Sequence, residues 1–266
     1  MNNRQLILIL FIYSVLFIVL FPSYQYLINP DATGYLSVSE KIANKNYFNS
    51  INGIWSPLGS WLLVPFIKMG GDAIFFSKCL NGFYGFLSLI FIFKLLKKLE
   101  VDSFILKIIM ILSIFLVLNF AFALLFGDFI LLMILLGYLN IIMQKNFSKK
   151  KSSIIIASFI GAIAFYAKAY SFYFIILHLP ITILFLEKKN CGKYFSILSL
   201  KKLFLALSVF LITTSFWLFA LHHKYGNFIL GQKNITGTLT QLSHIEKNLS
   251  CLQKVEIIVF LMTYII

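Results

Sequence analysis

The chain has 266 residues, of which 60% are hydrophobic and 12% charged, with mean hydropathy +0.92 and formal net charge +14. A soluble domain carries about 25% charged residues, so this chain cannot cover a water-facing surface. A cytosolic enzyme, a disordered chain and a disulfide scaffold are excluded.

Eight apolar stretches reach or approach the length of a bilayer-crossing helix, about 20 residues. They cover residues 6–21, 73–93, 104–126, 129–143, 154–167, 171–186, 203–221 and 255–266. The expected fold class is all-α: a polytopic membrane protein in a lipid bilayer, forming a single transmembrane domain over residues 1–266. It has about seven complete transmembrane helices, a truncated eighth, and interfacial amphipathic helices in the first outer loop. The fourth and fifth stretches are short and must borrow flanking residues or thin the bilayer. The first lacks a small-x-small cleavage site at Pro22-Ser23-Tyr24-Gln25-Tyr26, so it reads as an uncleaved anchor. The last stops at Ile266 after twelve residues, so the chain is expected to be the N-terminal part of a longer protein.

Lysines set the orientation. Arg4 precedes the first stretch; Lys94, Lys97 and Lys98 follow the second; Lys145 and Lys149 to Lys151 follow the fourth; Lys188 to Lys202 follow the sixth. If each stretch crosses once, with residues 154–186 turning at Lys168, all fall on one side. That side is the cytoplasm. The charge thus belongs to loops facing the cell interior, and no nucleic-acid partner is expected. The N-terminus is cytoplasmic, and two segments lie outside a cell membrane: residues 24–72 and 222–254. Along the fifth stretch Ser153, Ala157 and Gly161 recur every four residues, a small-residue stripe for helix packing. Cys79, Cys191 and Cys251 are too few and too scattered for a disulfide framework or a metal cluster.

The first outer segment carries the chemistry. Pro30 interrupts the chain and Asp31 can cap a new helix, in which Tyr35, Val38 and Ile42 repeat at helical spacing opposite Ser37, Glu40, Lys41 and Asn44. This predicts an amphipathic helix on the outer leaflet. A turn at Asn52-Gly53 follows, and Ser56-Pro57 opens a second interfacial helix, with Trp55 and Trp61 suited to the headgroup zone. Asp31 is either that N-cap or a general base. Asp128 is either the N-cap of the fourth span or a second acid that orients an acceptor or shares a metal. Lys168 is either a snorkelling lysine or a cation for a phosphate. Tyr35 and Trp55 suit interface anchoring. His178 suits a helix-packing hydrogen bond, and the adjacent His222 and His223 do not suit metal ligation. Asn234-Ile235-Thr236 and Asn248-Leu249-Ser250 match the glycosylation sequon by chance.

Several of these motifs together resemble the GT-C superfamily of integral-membrane glycosyltransferases. They are Asp31-x-x-x-Tyr35, Trp55-Ser56-Pro57-Leu58-x-Ser60-Trp61-Leu62-Leu63-x-Pro65-Phe66, and Gly127-Asp128. The segment from Gly161 to Lys168-Ala169-Tyr170, and that from Trp217 to Lys224-Tyr225-Gly226, are similar to further parts of the pattern. The nearest likeness is to bacterial relatives of aminoarabinose transferases and protein O-mannosyltransferases. The chain departs from the pattern in lacking an Asp-Glu pair in this loop, the C-terminal spans and the outer domain. The resemblance implies transfer of a sugar from a polyprenyl-phosphate donor to an extracytoplasmic acceptor. It implies Asp31 as the catalytic base and Asp128, Lys168, Tyr35 and Trp55 as substrate-binding residues. No organic cofactor is implied; a divalent metal is left open. A secondary transporter or flippase is the competing class, but it would place binding groups at the midplane, often on inverted repeats. No repeat is visible, and the acids sit at the outer edge. A non-catalytic membrane partner or an inactive fragment is the third reading.

Overall fold

The computed structural model describes residues 3–191 and 196–227, all within one compact unit. Every regular element among them is helical. In chain order these are α1 (Asn3–Tyr24), α2 (Pro30–Ala43), α3 (Tyr47–Ser50), α4 (Pro57–Lys68), α5 (Ala73–Lys98) and α6 (Ser103–Ala123). They continue with α7 (Asp128–Ile142), a 3-10 turn (Phe147–Lys149), α8 (Lys151–Ala167), α9 (Ser171–Cys191) and α10 (Ile197–Tyr225). The eighth stretch, both sequons and most of the second outer segment lie outside the described residues.

Among the described residues five helices are long and apolar enough to cross a membrane: α1, α5, α6, α9 and α10. The other two of the seven expected spans, α7 and α8, have 15 and 17 residues. At 1.5 Å per residue they reach about 22 and 26 Å, short of a hydrocarbon core of about 30 Å. Large apolar side chains point outward along the peripheral helices, among them Phe11 and Ile18 on α1, Phe115 on α6, and Phe204 and Phe216 on α10. Water would penalise such a surface, and lipid would not. The chain has the make-up of a membrane protein.

Two apolar cores hold the bundle. One gathers α1, α5, α6 and α7 around Tyr13, Leu89, Met110 and Phe129. The other gathers α7 to α10 around Tyr138, Phe165, Ile175 and Phe210. The Ser153, Ala157 and Gly161 stripe is buried, and α8 packs on both α9 and α10. His178 makes an interhelical hydrogen bond, with Tyr138 Oη 3.0 Å from its Nδ1.

Polar contacts mark the two ends of the bundle. At one end, Lys98 Nζ donates to the Asn140 carbonyl, and Lys202 Nζ meets Glu187 Oε1 at 2.7 Å. Lys94 and Lys97 on α5 and Lys201 on α10 neighbour these two lysines. At the other, Lys224 Nζ donates to the Ile51 carbonyl at 2.6 Å, tying α10 to the segment between α1 and α5. The chain breaks at Lys168, whose extended backbone separates α8 from α9. The expected hairpin therefore turns at this residue.

Within the first outer segment, α2 packs on α4. Ser60 Oγ and Ser39 Oγ both donate to the Tyr35 carbonyl, at 2.9 and 2.8 Å. The apolar face of α2 packs largely on protein. Ala32, Tyr35 and Val38 are all buried there, with Tyr35 and Ala32 packed on Leu63, Leu125 and Phe126. Asn52 Oδ1 accepts from the Ile54 and Trp55 amides, which makes the turn ahead of α4.

Candidate functional site

The site is assembled where the α6–α7 loop passes beneath α2. The end of α6 is fixed by two residues of α5 that pattern reading passed over. Lys78 is fully buried and donates to the Phe122 carbonyl. Asn81 Nδ2 donates to the carbonyls of Ala121 and Leu124. The last carbonyls of a helix have no partner within it, and a cation there also meets the negative end of the helix dipole. The available signal was an ionisable residue inside an apolar run, which is costly unless it has a task.

From Leu124 the chain turns sharply. The Leu125 amide donates to Asn29 Oδ1 at 3.0 Å, which fastens the start of α2 to this loop. Phe126 and Gly127 then adopt positive φ, +66° and +24°. A Cβ on Gly127 would lie 2.3 Å from Lys168 Cε and 2.6 Å from Tyr35 Oη. Only glycine lets both side chains approach there while also accepting this backbone.

Two assignments made from capping rules change. The N-cap of α2 is Asn29, with Pro30 at the first helical position, so Asp31 lies within the first turn and does not cap it. The reason is steric: proline with its fixed φ starts a helix and pushes the cap back one residue. Likewise Gly127 is the N-cap of α7 and Asp128 its first helical residue, with no side-chain cap bond. Lys168 has a partner within the protein. Its Nζ pairs with Asp128 Oδ2 at 3.1 Å, with side chains 19% and 47% exposed respectively.

Asp31 is partly exposed, and its carboxylate has no hydrogen bond or ion pair among the described residues. It stands one helical turn before Tyr35, on the same face. Tyr35 is 1% exposed. Phe126 stacks against its ring at 5.2 Å and Trp55 lies against it at 5.3 Å, so protein packs around the Tyr35 ring. The Trp55 indole also lies over Gly34, where a Cβ would come within 2.3 Å of it. Both aromatics thus build the wall of the site. The Tyr35 hydroxyl is buried without a hydrogen-bond partner among the described residues. Burial pushes its ionisation well above the usual tyrosine range, and the charges of Asp128 and Asp31 add to this. Tyr170 Oη donates to Asp128 Oδ1 at 3.5 Å. Partial burial and the facing Asp128 carboxylate raise its ionisation as well. The structure therefore brings Asp31, Asp128, Lys168, Tyr35 and Trp55 around one corner, and adds Tyr170 and Gly127.

Asp128 and Tyr170 stand at the polar end of a cleft of about 280 Å³. Its other walls are apolar, from Phe120 and Leu124 on one side and Leu131 and Leu135 on the other. Asp128, Leu131, Leu132 and Leu135 form one stripe of α7, running about 10 Å down the helix from the carboxylate. A second cleft, of about 420 Å³ between α1 and α5, is lined by Tyr13, Ser14, Phe17 and Cys79 and carries no charged side chain. Among the described residues no three His, Cys, Asp or Glu side chains converge as a metal site would require. Comparison with known protein families, with curated proteins and with solved structures finds no match.

Proposed function

We propose that this chain is a membrane glycosyltransferase of the GT-C type, which moves a sugar from a polyprenyl-phosphate-linked donor to an extracytoplasmic acceptor. In this reading α1 and α5 to α10 each cross a cell membrane once, with the N-terminus in the cytoplasm. The bilayer thins around α7 and α8, and α2 and α4 lie at the outer interface. The observation that carries the proposal is the 3.1 Å Lys168–Asp128 pair, whose carboxylate lines a mostly apolar cleft, with Asp31 on a neighbouring helix. A lipid-linked donor needs that combination: apolar walls for the tail, a cation for the phosphate, and a carboxylate for the proton.

The chemistry balances with groups the chain holds. The acceptor oxygen bonds to the anomeric carbon, and its proton passes to Asp31 as general base. The bond from that carbon to the phosphate oxygen breaks, and the electron pair leaves on the phosphate. Lys168 offsets the charge that develops there. As Lys168 turns to the phosphate it releases Asp128, which then accepts a hydrogen bond from the acceptor and orients it.

Two measurements test this. For topology, single cysteines replacing Asn46 and Lys149 in cells should react with an impermeant maleimide from outside and only after lysis, respectively. Equal labelling from outside would sink the orientation. For activity, the purified protein in liposomes should release sugar from at least one of a panel of undecaprenyl-phosphate hexoses, leaving free undecaprenyl phosphate. Retention of all label on the lipid, across the panel and with water or added alcohols as acceptor, would overturn the reading.

A further inference from the structure

We infer that the Tyr35 hydroxyl is the second donor of an oxyanion site completed by Lys168 and the N-terminus of α7, a site shaped for the oxygens of a phosphate ester. Three observations converge. The hydroxyl is buried and unpartnered among the described residues, although Tyr35 is held in place by Phe126, Trp55 and the serines that bond its carbonyl. A buried polar group without a partner is unfavourable and rare, so one fixed this firmly points to a partner the chain does not supply. The hydroxyl also lies beside Lys168 Cε, directly over Gly127, whose missing Cβ is what leaves room for the two to meet. Gly127 is itself the N-cap of α7, whose first turn lacks a side-chain cap. The positive end of that helix dipole faces the same point.

Asp128 now holds the Lys168 ammonium. An entering oxyanion competes for it, and the side chain swings off Gly127 and uncovers the Tyr35 hydroxyl to the same ligand. Tyr35 keeps its proton at neutral pH, because burial and the nearby carboxylates oppose its ionisation, so it acts as a donor. That the ester is a lipid phosphate rests on the glycosyltransferase reading. That the ligand is an oxyanion does not.

The test uses the full chain in detergent, with thermal unfolding followed at constant ionic strength. The probes are inorganic phosphate and, separately, geranylgeranyl phosphate. Each should raise the wild-type melting temperature in a saturable way. Tyr35→Phe removes only the hydroxyl, so without ligand its melting temperature should equal or exceed wild type. Its affinity for the probes should fall about tenfold or more, the value of a hydrogen bond to a charged group. Lys168→Met should weaken both probes as well. Wild-type affinity in Tyr35→Phe would overturn the inference, and so would a wild-type protein that binds neither probe. A Tyr35→Phe protein that melts lower without ligand would also overturn it, because the hydroxyl would then serve the fold. Phosphate binding lost in Tyr35→Phe, together with no sugar release by wild type, would sink the enzyme and leave the site standing.

Discussion

Asp31→Asn should lower sugar transfer by about 10²-fold or more, the usual contribution of a general base. It should leave the melting temperature and donor affinity close to wild type. The structure makes this substitution cleaner than helix-capping rules would suggest. Because Asn29 is the N-cap and Asp31 has no partner among the described residues, replacing the carboxylate by an amide removes basicity and little else. Asp128→Asn offers the contrast. It releases Lys168 from its 3.1 Å partner and loosens the corner as well as the chemistry, so stability and acceptor affinity should both respond. Lys168→Ala should weaken donor binding first. Full turnover by Asp31→Asn, measured as free polyprenyl phosphate released from a labelled donor, would remove Asp31 from the mechanism.

Lys202→Met should destabilise the fold by about 3 kcal/mol, at the low end for a broken buried ion pair. Glu187 is 1% exposed, and its Oε1 meets Lys202 Nζ at 2.7 Å. Removing the lysine strands a carboxylate inside the junction of α9 and α10. The effect should appear as a lower melting temperature, with transfer per folded molecule unchanged because the pair lies at the far end of the bundle from Asp128. Glu187→Gln added to Lys202→Met should restore most of the loss, since a neutral amide tolerates the pocket that a lone carboxylate does not. A Lys202→Met protein that melts with wild type would show that the pair is solvated.

Lys202 also shows where pattern reading falls short. In the sequence it belongs to a run of lysines whose only evident task is to mark a side of the membrane. In the fold it is one half of a buried pair, and its partner is 15 residues earlier. Lys78 and Asn81 went unread for the same reason, as polar interruptions of an apolar run. Their partners are the carbonyls of Ala121, Phe122 and Leu124, 40 or more residues along the chain. Periodicity reports what a residue does within its own helix and is silent on which distant backbone it reaches.

What the sequence determined by itself is the helical, membrane-suited character of the chain, because long apolar runs can satisfy their backbone groups in lipid only as helices. It also placed the break at Lys168 and the turn at Asn52-Gly53, since these depend on nearest neighbours. It drew attention to Asp31, Asp128, Lys168, Tyr35 and Trp55. Tertiary structure alone decided what they are to one another. The sequence spacing of Asp128 and Lys168 carries no hint of a 3.1 Å pair, and Tyr35 reads as an interfacial residue until Phe126 and Trp55 close around it. The α6–α7 loop is the cause: its positive-φ turn at Phe126-Gly127, fastened to Asn29, carries the start of α7 under α2. Such a turn is set by contacts from three separate parts of the chain, and no local pattern encodes it.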